Sequence, residues 1–121
     1  MATTTTTLVD DLKEAFGSAE DVTPAEGQPL HILLPSLALP EPWKPSPSRA
    51  LTIWERWPEE RPRFLIDMAV VGDAGEPPRS NDTVYVLGEA WRHFSFSFPW
   101  NGDDPVIVVQ SWLERFSVER N

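Results

Sequence analysis

The chain has 121 residues, a formal charge of −9 from 19 acidic against 10 basic side chains, and no cysteine. That length predicts one domain, residues 1–121, and the missing thiol excludes disulfides, thiolate metal ligands and any cysteine nucleophile or thioester. So acidic a surface repels phosphate backbones, so a nucleic-acid partner is not expected.

The N-terminus "MATTTTTLVDDLKEAFG" has neither a basic region nor a long apolar run, and so does not read as a signal peptide. No segment approaches the ~20 apolar residues of a membrane span. A cytoplasmic protein without a membrane partner is expected. Residues 1–7 read as low-complexity and disordered. Thr7 then caps a helix over 8–16, with Asp10 completing a capping-box-like pair. Leu8, Leu12, Ala15 and Phe16 form its apolar stripe, and Gly17 is the stop.

Residues 18–28 are polar, carry Pro24 and Gly27, and read as a loop. "LHILLPSL" offers a strand from Leu30 to Leu34. The prolines at 40, 42, 45 and 47 exclude a paired central strand, so "ALPEPWKPSPS" is an extended connection with Trp43 pinned in it. "RALTIWERW" alternates, with Leu51 and Ile53 on one side and Thr52 and Trp54 on the other. "PEERP" is a tight turn into the strand "RFLIDMAVV", and this hairpin should hold the centre of a sheet. After the loop 72–82 come a short strand, "TVYVLG", and a second alternating run, "RHFSFSF".

In that run Phe94, Phe96 and Phe98 share one side, as on a strand lying on a core, while His93, Ser95 and Ser97 share the other with Trp91. At the end, Asp104 caps a helix over 105–118 and Pro105 sits where its missing donor costs nothing. Val108, Val109, Trp112, Leu113 and Phe116 form its apolar face. The expected fold class is α+β: an antiparallel sheet meander of three to five strands with N-terminal and C-terminal helices packed on one face.

Nothing in this pattern carries catalytic chemistry. His93 and Ser95 point the same way along a strand, but no G-x-S-x-G elbow or orienting acid accompanies them. His31 and His93 are far apart and match no metal-ligand spacing. There is no phosphate-cradling glycine loop. No catalytic residue, metal or cofactor is therefore expected. Tryptophans beside rigid prolines are typical of interface hot spots, which makes Trp43, Trp57, Pro58 and Pro62 the candidate partner-binding residues.

Two stretches carry a family resemblance. "LPSLALPEPWKPSPSRALTIWERWPEERPRFLID" resembles the first sheet strands of the ubiquitin-conjugating-enzyme (UBC-like) fold, with Trp57-Pro58, Pro62, Arg63 and Phe64 at the place of its proline-rich turn. "GEPPRSN…VLGEAWRHFSFSFPWN…DDPVIVVQSWLERF" is similar to the bacterial branch called prokaryotic family E, through Gly88, Trp91, Phe94, Ser95, Trp100 and the helix from Asp104. The resemblance covers residues 30–118. The chain departs from the family in lacking His-Pro-Asn and any cysteine. The resemblance thus implies a non-catalytic variant: a protein-binding module that assists or scaffolds a bacterial ubiquitin-like modification or defence pathway. Its partner would be a ubiquitin-like protein or a component of the conjugation pathway. Charge and aromatic content equally suit an acidic inhibitor or immunity-type protein that masks a basic partner.

Overall fold

The computed structural model describes residues 5–41, 43–57, 59–60, 62–73, 75, 81–94 and 104–116. The chain is α+β: among the described residues, a six-stranded, wholly antiparallel open sheet has a helix before it and a helix after it. No helix among the described residues is long and apolar enough to cross a membrane.

Helix α1 (Thr5–Phe16) begins two residues before the threonine expected to cap it, so Thr7 lies inside the helix. Burial of Leu8 and Leu12 outweighs the modest helix propensity of the threonines. Leu8, Leu12 and the partly buried Phe16 line up at successive fourth positions; Ala15 is off that line and exposed. Gly17 adopts φ 90°, and its N–H donates to the Lys13 carbonyl at 2.9 Å, ending the helix as expected.

The loop expected over 18–28 contains a two-residue strand, β1 (Glu20–Asp21), paired with β2 (Leu30–Leu37). Asp21 accepts from the Thr23 N–H at 3.0 Å and the Thr23 hydroxyl at 2.6 Å, and that hydroxyl oxygen accepts from the His31 N–H. Strand β2 runs past Leu34 because its register shifts between Leu34 and Leu37, where Pro35 has no ladder donor to give. Next come β3 (Ser48–Trp54) and β4 (Arg63–Asp67). β4 stops early: Asp67 turns the chain by accepting from the Ala69 N–H through its carboxylate and from the Val70 N–H through its carbonyl. β5 (Asn81–Val86) and β6 (Glu89–Phe94) form a hairpin.

The sheet order is β1-β2-β3-β4-β6-β5. The β3–β4 hairpin holds the centre, as expected. The meander does not continue, however: the chain leaves β4, passes the place of its neighbour, forms β5 at the edge and returns to insert β6. Pairing order is set by long-range contacts, which alternation along a strand does not encode.

Helix α2 (Pro105–Phe116) starts as read: Asp104 accepts from the N–H groups of Val106 at 2.9 Å and Ile107 at 3.3 Å. Its buried face, Val108, Val109, Trp112 and Phe116, joins Leu8 and Leu12 of α1 over Ile32, Leu34, Ala50, Trp54, Phe64 and Ile66. Both helices thus cover one face of the sheet. The opposite face carries a smaller apolar cluster of Leu51, Ile53, Leu65 and Trp91.

Candidate functional site

The tryptophans singled out in the sequence have divergent fates. Trp43 is 2% exposed and belongs to the core, which corrects its assignment to a partner surface. The proline-rich connection delivers its ring onto α2, where it stacks on Phe116 at 4.9 Å and 12° and donates its indole N–H to the Phe116 carbonyl at 2.9 Å. Phe116 stacks in turn on Trp112, and Trp112 on Phe64, so one column of rings runs from the connection through α2 to β4. Pro62 is also buried, and Pro58 lies outside the described residues. Trp57 lies beyond the end of β3, edge-on to Trp54 at 5.0 Å, and is partly buried against the main core. Of the four candidates it alone, among the described residues, keeps part of its side chain on the surface.

On the sheet face away from the helices sits a charged cluster. Arg49 donates to Asp67 from Nε at 3.0 Å and Nη2 at 2.8 Å, and to Glu89 from Nη1 at 3.2 Å and Nη2 at 2.6 Å. Its guanidinium also lies 4.8 Å above the Trp91 ring, a cation–π arrangement. Burial pushes the Asp67 carboxyl up, but the Ala69 N–H and Arg49 outweigh it and hold Asp67 below the usual carboxylate range. Arg49 holds Glu89 below that range as well, and Glu89 and Asp67 hold the guanidinium charged. Every guanidinium nitrogen is thus committed to a carboxylate. The cluster acts as a clasp joining β3, β4 and β6, not as a receptor for an anion.

His93 faces the same side, opposite Leu65 on β4 and Asp82 on β5. Burial, reinforced by the positive charge of Arg63 and opposed by Asp82, lowers its basicity. Ser95, and the side chains of Phe94, Phe96 and Phe98, lie outside the described residues. Among the described residues, no group of three or more His, Asp or Glu is placed to hold a metal ion.

The β5–β6 hairpin presents the most unusual surface. Its connection is a two-residue turn with φ 54° at Leu87 and 80° at Gly88. Positive φ at both positions is the type I′ pattern, which matches strand twist and favours Asn-Gly; a leucine there costs about 1–2 kcal/mol. Leu87 is 42% exposed and neighbouring Tyr85 is 80% exposed. Strain and exposed apolar area therefore coincide at one end of the sheet, opposite the end that carries the Trp57 turn.

No family model matches the chain, and no curated protein or solved structure does either. The hairpin's exposed pair and the Arg49 clasp were both missed in the sequence. The available signal was "YVLGEAW", in which Gly88 separates two alternating runs by the span of a tight turn.

Proposed function

We propose that this chain is a non-catalytic protein-binding module that engages its partner at the β5–β6 end of the sheet. The observation that carries this reading is the pairing of exposed Tyr85 with exposed, left-handed Leu87 on a short hairpin. Backbone strain concentrates where function maintains it, and an aromatic on a rigid turn supplies contact area at low entropic cost. The pathway, ubiquitin-like modification or defence in a bacterium, follows from the resemblance to the ubiquitin-conjugating fold. Helices at both ends of an antiparallel sheet, sharing one face, agree with that resemblance. Without a thiol the chain cannot carry a thioester, so its part there is to bind and present.

A net charge of −9 favours a second reading, an acidic inhibitor or immunity-type protein covering a basic partner. Affinity capture on the immobilised chain, with the bound protein identified by mass spectrometry, separates the two. A ubiquitin-like protein or conjugation component supports the first reading, and a basic toxin supports the second. Equal capture by wild type and a folded Tyr85→Ser variant would remove the proposed surface from both.

A further inference from the structure

We propose that β5 accepts an added strand from a basic, extended segment of the partner, an inference that rests on the protein-binding reading above. The two ends of the sheet differ in a telling way. At one edge, β1 is only two residues long, and both are exposed acids. A short charged edge is a protected edge. At the other edge, β5 keeps unbroken register with β6 over Asn81, Asp82, Thr83, Val84, Tyr85 and Val86. It contains no proline, lysine or bulge, the usual devices that stop a strand from pairing further.

The direction of its backbone groups follows from the turn. A two-residue hairpin closes on a hydrogen-bonded pair, here Val86 with Glu89. Alternation then points Val84 and Asp82 toward β6, and turns the N–H and C=O of Thr83 and Tyr85 outward. Among the described residues, no backbone group pairs with that outer edge. Asp82, Thr83 and Tyr85 are all exposed.

Charge selects the occupant. From Asn81 to Val86 the edge strand carries Asp82 and no basic residue, on a body of net charge −9. A second copy of the chain would bring two bodies of net charge −9 together. A partner segment with lysine or arginine at alternate positions would instead place a cation beside Asp82 on one face. Its intervening apolar side chains would lie against Tyr85 on the other.

The test uses the full chain, isotopically labelled, titrated with a synthetic peptide that alternates valine and lysine. Amide exchange at Thr83 and Tyr85 should slow by about tenfold or more on binding, while Val84, already bonded to β6, should change little. A peptide alternating valine and glutamate should not protect them. Thr83→Pro, which removes an outward donor and is tolerable on an edge, should abolish binding with the circular dichroism unchanged. Protection elsewhere, no protection, or the same protection produced by concentrating the chain alone would overturn the proposal. If Tyr85→Ser weakens capture of the natural partner but Thr83→Pro does not, strand addition fails while the surface stands. If neither variant matters, both fail.

Discussion

The indole of Trp43 lies parallel to the ring of Phe116, 4.9 Å away, and donates its N–H to the carbonyl of that same residue. One side chain from an irregular connection thus both packs against α2 and hydrogen-bonds to its backbone. Trp43→Phe keeps a ring in the column but removes the hydrogen bond to the buried carbonyl, which should cost about 1–3 kcal/mol. Trp43→Ala loses the ring as well and should cost about 3–5 kcal/mol. Urea unfolding of the two variants measures both; equal losses would assign all of the effect to packing.

Trp112 occupies the middle of the same column, between Phe116 and Phe64, and is 1% exposed. Trp112→Ala should destabilise by about 3–5 kcal/mol in the same measurement. A urea midpoint close to that of wild type would contradict the assignment of the α2 face to the core.

The Arg49 clasp predicts a direction for two carboxyl groups. In Arg49→Met, with the cation gone, the pKa values of Asp67 and Glu89 should both rise, and carbon-detected NMR titration follows each separately. Both are depressed in the folded state, so their stabilisation is present above the unfolded value and is lost as pH falls through the folded one. The variant should lose the corresponding part of the wild type's acid dependence.

His93 acts in a different window. Its folded pKa lies below the ordinary 6.5, through burial first and Arg63 second. The unfolded chain therefore binds the proton more readily, and stability should decline as pH falls from 7 through about 6.5 toward the folded value. His93→Gln should flatten that part of the stability profile and leave the lower, carboxylate-driven part in place. An unchanged profile would show that the imidazole titrates alike in both states.

Leu87 should trade stability for binding. Leu87→Asn installs a residue suited to positive φ and should stabilise the fold by about 1 kcal/mol. It should also weaken partner capture. A stabilised variant that binds as well as wild type would show that the leucine serves no contact.

What could be read in advance divides along physical lines. Helix α2 was legible because its cap, its N-terminal proline and its apolar spacing all lie in adjacent residues. The alternation of Leu51 and Ile53 against Thr52 and Trp54 was legible for the same reason, and the two sets lie on opposite sheet faces. Trp43 was misplaced because a proline-rich connection has no period to tell an inward ring from an outward one. The insertion of β6 between β4 and β5, and the convergence of Arg49, Asp67 and Glu89, depend on pairing between distant strands. Leu87 ran against its own turn chemistry, which favours asparagine or glycine there.

Affinity of the captured partner for three folded proteins, wild type, Tyr85→Ser and Trp57→Ala, locates the binding surface most directly. The two substituted positions lie at opposite ends of the sheet, so a general loss of packing would not mimic the expected pattern. Tyr85→Ser should weaken binding by about tenfold or more, a loss of about 1.4 kcal/mol, while Trp57→Ala leaves it close to wild type. The reverse pattern, with affinity lost at Trp57 and kept at Tyr85, would contradict a β5–β6 surface and return the site to the proline-rich turn.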